Sequence, residues 1–107
     1  MNQFDNIKKA VKNKKIEFQK HALKRLIEEN LTISGVLSII INGEVIKEYS
    51  GDKPYPSILI LGYEKKTPVH VVCSYNHNVD KVHIITNYKP SLEFYEPDFK
   101  TRRKKNE

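Results

Sequence analysis

The hydrophobic spacing of this chain changes once, at Asn42-Gly43, and that change constrains its fold more than any motif does. Before it, apolar residues recur at three- and four-residue intervals, as on one face of a helix. Phe4, Ile7, Ala10 and Val11 predict a first helix over 3–13, which Asn13-Lys14-Lys15 ends weakly. Residues 16–18 read as a short extended segment leading into a second helix over 19–29, with Ala22, Leu23, Leu26 and Ile27 as its apolar stripe. Asn30 stops that helix, because asparagine tolerates the left-handed conformation that closes helix ends. Thr32 or Ser34 caps a third helix through Val36, Leu37, Ile39 and Ile40. The β-branched run Ile39-Ile40-Ile41 would also suit a strand. Beyond Gly43 the period becomes two, and Glu44–Tyr49, 57–63, 69–75 and Lys81–Tyr88 read as strands. Short connections make the last three an antiparallel meander. Helices followed by strands predict an α+β fold, with N-terminal helices packed on one face of a four-stranded, largely antiparallel sheet.

A chain of 107 residues is long enough for one domain, expected over 1–99, with 100–107 as a basic tail lacking fixed structure. The apolar stretch 31–43 falls short of the roughly 20 residues a membrane span needs. The opening Met1-Asn2-Gln3-Phe4-Asp5 lacks the basic-then-apolar pattern of a signal peptide. Cys73 is the single cysteine, which excludes an internal disulfide and a cysteine zinc cluster. The expectation is a cytoplasmic domain.

The net charge of +6 is unevenly placed: residues 1–25 carry +6, residues 26–99 carry −4 and the last eight carry +4. Two basic ends on an acidic middle suggest a polyanion partner, because each cation that neutralises a phosphate releases a condensed counterion. Lys14, Lys15, Lys20 and Lys24 at one end, with Lys104 and Lys105 at the other, are the expected nucleic-acid contacts. Lysine-rich ends also serve solubility alone.

On the second helix, His21 and Arg25 lie one turn apart on a polar face turned away from the apolar stripe. Imidazole exchanges a proton near neutral pH, and guanidinium clamps a phosphate through two hydrogen bonds. A solvated helix face has the same composition. His70 shares a strand face with Val72 and Ser74, where a buried structural histidine is the ordinary occupant. His77 and His83 read as turn and strand-surface residues. Tyr88 and Tyr95 either pack structurally or stack bases. No metal-ligand spacing, phosphate-cradling glycine loop or carboxylate pair is visible, so neither metal nor cofactor is expected.

Phe18-Gln19-Lys20-His21-Ala22-Leu23-Lys24-Arg25-Leu26 resembles the F-x-x-H-A-x-x-R opening of the Domain of Unknown Function 4258 family. Gly43-Glu44-Val45-Ile46, Pro54-Tyr55-Pro56-Ser57, Leu59-Ile60-Leu61-Gly62, Pro68-Val69-His70-Val71-Val72 and the segment 84–90 resemble its later blocks, in order. Asp98-Phe99 with Arg102-Arg103 resembles its close, so the likeness spans about 16–103. The chain departs from it at Glu29 and Asn30, where the family usually has arginine and glycine. The family is similar to RelE-like and MqsR-like toxins. The resemblance implies a RelE-like fold and a metal-independent endoribonuclease, the toxin of a type II toxin–antitoxin pair. It also implies a cognate antitoxin, with an MqsA-like zinc-finger protein as the pattern. On that footing His21 is base or acid, Arg25 clamps phosphate, and His70 supplies the complementary acid or base if the second helix packs beside its strand. Tyr88, Arg102 and Arg103 are secondary candidates for orienting substrate or protonating the leaving group. A non-catalytic RNA- or DNA-binding module, or a protein-interaction domain with basic ends, is the alternative.

Overall fold

The computed structural model describes residues 2–104, and helix capping explains how its first third is laid out. Asn2 accepts a hydrogen bond from the Asp5 amide at 2.9 Å and starts α1 (Gln3–Lys12). Lys14 turns left-handed at φ 61°, letting the Lys15 amide close the helix on the Ala10 carbonyl. A three-residue strand, β1 (Ile16–Phe18), leads into α2 (Lys20–Glu28). Asn30 sits at φ 55°, as expected of a closing asparagine, and the Leu31 amide bonds the Leu26 carbonyl. Thr32 then caps α3 (Ile33–Asn42), its hydroxyl accepting from the Gly35 amide at 3.0 Å. The run Ile39-Ile40-Ile41 is helical, because Ile39 and Ile40 complete the apolar face that α3 lays on the sheet.

Four strands follow: β2 (Glu44–Tyr49), β3 (Ser57–Glu64), β4 (Thr67–Asn76) and β5 (Lys81–Tyr88). They pair antiparallel, but the sheet has five strands rather than four, in the order β1-β5-β4-β3-β2. β1 adds to the far edge in parallel, with Ile16, Glu17 and Phe18 opposite Val82, His83 and Ile84. The Val82 amide donates to the Lys15 carbonyl and the Gln19 amide to the Ile84 carbonyl, each at 2.9 Å, so both ends of the segment are fastened. The architecture is therefore α+β, three helices on a mixed sheet. Parallel pairing of distant segments has no hairpin turn to announce it.

Alternation divides the sheet into two faces. Ile58 and Ile60 of β3, Val69, Val71 and Cys73 of β4, and Val82 and Ile84 of β5 meet the helices in the main core. The approach is closest at Gly62, where an added Cβ would lie 2.6 Å from Ile39 Cγ2. The other face carries Tyr49 of β2, Leu59 and Leu61 of β3, His70 and Ser74 of β4, and His83 and Tyr88 of β5. Leu59 and Leu61 are buried there too, beneath the C-terminal segment, whose Tyr95 is 7% exposed.

That segment corrects the expectation of an unstructured tail as far as Arg103. Tyr95 and Arg102 form a β-bridge, the Glu96 amide donates to the Thr101 carbonyl, and the Arg103 amide donates to the Phe94 carbonyl. Asp98 turns the strap by accepting from the Lys100 and Thr101 amides and the Thr101 hydroxyl. A second correction concerns α2. Ala22 and Leu26 are buried, but Leu23 is 43% and Ile27 84% exposed. The helix rides beside the edge strand and buries a narrower stripe than a helix lying across a sheet. Among the described residues, no helix is long and apolar enough to cross a membrane.

Candidate functional site

α2 is tied along the second half of β5, which fixes where its polar face can reach. The Gln19 amide holds its start to Ile84, the Asn87 amide group donates to the Ala22 carbonyl at 3.2 Å, and Glu29 accepts from the Lys89 amide at 3.0 Å. With Ala22 and Leu26 in the core, Arg25 reaches Tyr88, its guanidinium carbon 6.0 Å from the ring centroid. Two carboxylates of its own helix also engage Arg25, Glu28 at 3.4 Å and Glu29 at 3.2 Å. His21 lies one turn earlier and is exposed, as are Lys20 and Lys24.

Tyr88 stands at the end of β5, directly opposite His70 of β4. His70 Nε2 lies 2.7 Å from the Phe99 carbonyl, which can only accept, so that nitrogen carries the proton. Nδ1 is then bare and accepts from the Tyr88 hydroxyl at 3.2 Å. Tyr95 packs edge-on against the same imidazole, with centroids 4.8 Å apart. His70 is wholly buried, and burial holds its pKa below the usual histidine value, opposed in part by the Phe99 hydrogen bond. That placement bears on the expected role of His70 as a second acid or base toward substrate. Both ring nitrogens are engaged and neither meets solvent, so this histidine positions the Tyr88 hydroxyl and pins the strap. Burial also drives the Tyr88 phenol well above the tyrosine range, with the neighbouring Tyr95 adding to it and Arg102 working against it. Tyr88 is thus a neutral hydrogen-bonding group throughout ordinary pH.

The two strap arginines separate in role. Arg103 is a clasp: its Nε donates to the Leu92 carbonyl and it pairs with Glu96 at 3.1 Å. Arg102 is stacked on aromatic rings, 5.2 Å from the Tyr95 centroid and 5.8 Å from that of Phe94. With Lys47, Tyr49, Tyr95 and Lys100 it lines a cleft of about 260 Å³ between β2 and the strap. Lys100 is paired there with Glu44 at 2.9 Å. Burial, then the Tyr95 and Asp52 neighbours, raise the Tyr49 pKa. Tyr95 is open to base stacking from the sequence, whereas Tyr49 reads only as a strand residue, and no spacing links either to Tyr88.

The remaining lysines do not converge on this surface. Lys14 occupies the left-handed turn after α1, and Lys15 pairs with Asp80 at 2.9 Å beside the β4–β5 turn, at the opposite end of β5 from Tyr88. Lys104 is exposed at the limit of the described residues, and Lys105 lies outside them. Among the described residues, no three His, Cys, Asp or Glu side chains are grouped as a metal site requires. Arg25, Tyr88, His70, Tyr95 and Arg102 therefore define the candidate site, with His21 at its helical margin.

An α+β domain carrying a basic, tyrosine-rich sheet surface is the class that fold and site define. The chain matches the family described as Domain of unknown function (DUF4258) over residues 18–89, and it belongs to that family. The matched stretch contains His21, Arg25, His70 and Tyr88 and ends before the strap. No curated protein matches the chain.

Proposed function

We propose that the surface around Arg25 and Tyr88 binds RNA and cleaves it without a metal ion, the activity of a RelE-like toxin. The carrying observation is a guanidinium held over the Tyr88 ring, whose hydroxyl His70 fixes from beneath, with an exposed imidazole one helical turn away. In this reading His21 takes the proton from a ribose 2′-hydroxyl. The 2′-oxygen attacks the adjacent phosphorus, the bond to the 5′-oxygen breaks, and the leaving oxygen takes a proton from the His21 imidazolium. The products are a 2′,3′-cyclic phosphate and a 5′-hydroxyl. Proton transfer of this kind contributes about 10²–10⁴-fold. Arg25 opposes the charge developing on the phosphoryl oxygens, exchanging Glu28 and Glu29 for phosphate as it does so. Arg102, on its aromatic shelf, holds the strand, and Lys20 and Lys24 extend the cationic margin. An antitoxin, on the pattern of an MqsA-like zinc-finger protein, would silence the site by covering it.

The test is cleavage of end-labelled, mixed-sequence RNA in EDTA by wild type, His21→Ala and Arg25→Ala. The expected result is cyclic-phosphate ends from wild type and a loss of about 10²-fold or more in each variant. Equal cutting by all three proteins would refute the assignment. A second reading, a non-catalytic RNA-binding module, is favoured by the two carboxylates that already neutralise Arg25. It predicts salt-sensitive RNA binding with no cleavage under any condition.

A further inference from the structure

At the other end of the same sheet face lies a second cleft, of about 530 Å³, bounded by the start of α2, the β2–β3 loop and the first half of β5. Gln19, Lys53, Tyr55, Ser74, Asn76 and His83 are among its lining residues. Ser74 and His83 face each other across β4 and β5 in register, and Glu17 of β1 is the next residue along the row. Ser74 is 94% buried at the cleft wall, and one feature of the row is unexplained by the fold. His83 Nδ1 is sealed from solvent without a partner, with Glu17 at 3.7 Å, beyond hydrogen-bonding distance. Buried polar groups are normally paired, since each one left unmade carries a desolvation cost. Here the unpaired nitrogen belongs to a ring that lines a cavity.

We propose that this cleft is a nucleobase-binding subsite. The chemistry of its walls selects a planar heterocycle over a bare anion. Tyr55 and His83 offer flat ring surfaces, and Gln19, Ser74 and Asn76 offer hydroxyl and amide groups that donate and accept along a base edge. Lys53 stands at the margin as the cation for an attached phosphate. The volume falls within the range of small-molecule sites. Four residues of β4 separate Ser74 from His70, about 13 Å at the strand rise, so one short single strand reaches both this cleft and Tyr88. The inference thus rests on the RNA reading for the identity of the polymer. It adds to that reading a base, held on the same strand but away from the scissile linkage, that sets which sequences are cut.

The experiment titrates the four ribonucleoside 5′-monophosphates separately into the isotope-labelled protein, with ribose 5-phosphate as a control that lacks a base. Saturable shifts of the Ser74, Asn76 and His83 resonances by at least one nucleotide, and not by ribose 5-phosphate, are expected. Ser74→Val, which keeps a strand-favouring side chain and whose fold the same spectra verify, should weaken that binding about five- to tenfold, the worth of one hydrogen bond. Lys53→Ala reads the phosphate contribution without touching the core. Shifts of equal size with ribose 5-phosphate, or no saturable shift at these residues, overturn the subsite. RNA cleavage without nucleotide shifts in the cleft overturns this inference and leaves the ribonuclease reading intact. Nucleotide binding by a protein that never cleaves RNA does the reverse.

Discussion

Acid should destabilise this fold through His70, and replacing that residue with glutamine should remove the effect. His70 is wholly buried, donates from Nε2 to the Phe99 carbonyl and accepts at Nδ1 from Tyr88. A protonated ring would lose the second of these bonds and place an unpaired charge under the strap. The groups facing it are the Tyr88 hydroxyl and the Tyr95 ring, and no carboxylate hydrogen-bonds the imidazole. Its pKa is therefore depressed in the fold, while in the unfolded chain it returns to about 6.5. The unfolded state then binds the extra proton. This contribution to stability is fully present above about pH 6.5 and is lost as pH falls from there toward the folded value. If the folded ring stays neutral throughout, the loss between pH 7.5 and pH 5.5 is about 1.4 kcal/mol. That is a sizeable share of the roughly 5–15 kcal/mol a domain has. Glutamine can keep both hydrogen bonds and never titrates. Urea unfolding followed by circular dichroism, at both pH values, should show wild type losing about 1.4 kcal/mol more than His70→Gln. The other three histidines are common to both proteins and cancel in the difference. Equal acid slopes would refute the burial and tautomer argued for His70.

Two further outcomes follow from the packing. Gly62→Ala should cost about 1–3 kcal/mol, because the new methyl meets Ile39 Cγ2 at 2.6 Å. In a double-mutant cycle by urea unfolding, Ile39→Ala should remove part of that cost, and strict additivity would place the strain elsewhere. The Cys73 thiol is wholly buried and pushed up to about 12 by desolvation, so a disulfide reagent should label it only as fast as the protein opens. Rapid labelling of the native protein would contradict its placement in the core.

The parts of this fold legible in the sequence are those determined by neighbours along the chain. Asn30 and Thr32 announced the end of α2 and the start of α3 because each acts on backbone within five residues of itself. β2 and β5 have their expected bounds for the same reason, alternation being local. The parts that were not legible depend on partners far along the chain. β1 was read as extended, but its pairing with β5 joins residues 66 apart. Leu23 and Ile27 have the spacing of a core stripe, and only the position of α2 beside the edge strand leaves them exposed. For His70, alternation placed it opposite the face bearing Val71 and Cys73, but nothing local says that Tyr95 and Phe99 return to cover it.

That return also changes what the basic C-terminus can do. A loose cationic tail attracts any polyanion and selects nothing, since phosphate contacts alone carry no sequence information. Once the strap is turned by Asp98 and clasped by Arg103, its cations part company. Arg103 is consumed in holding the strap, whereas Arg102 is delivered, stacked on Tyr95, to the same sheet face as Tyr88. The strap therefore converts one unit of diffuse charge into one placed guanidinium, at the cost of burying His70. Helix α2 does the corresponding thing from the other side with Arg25. Two arginines, each set against a tyrosine ring on one sheet face, have the geometry to hold one strand in one register, which attraction by a loose tail cannot supply.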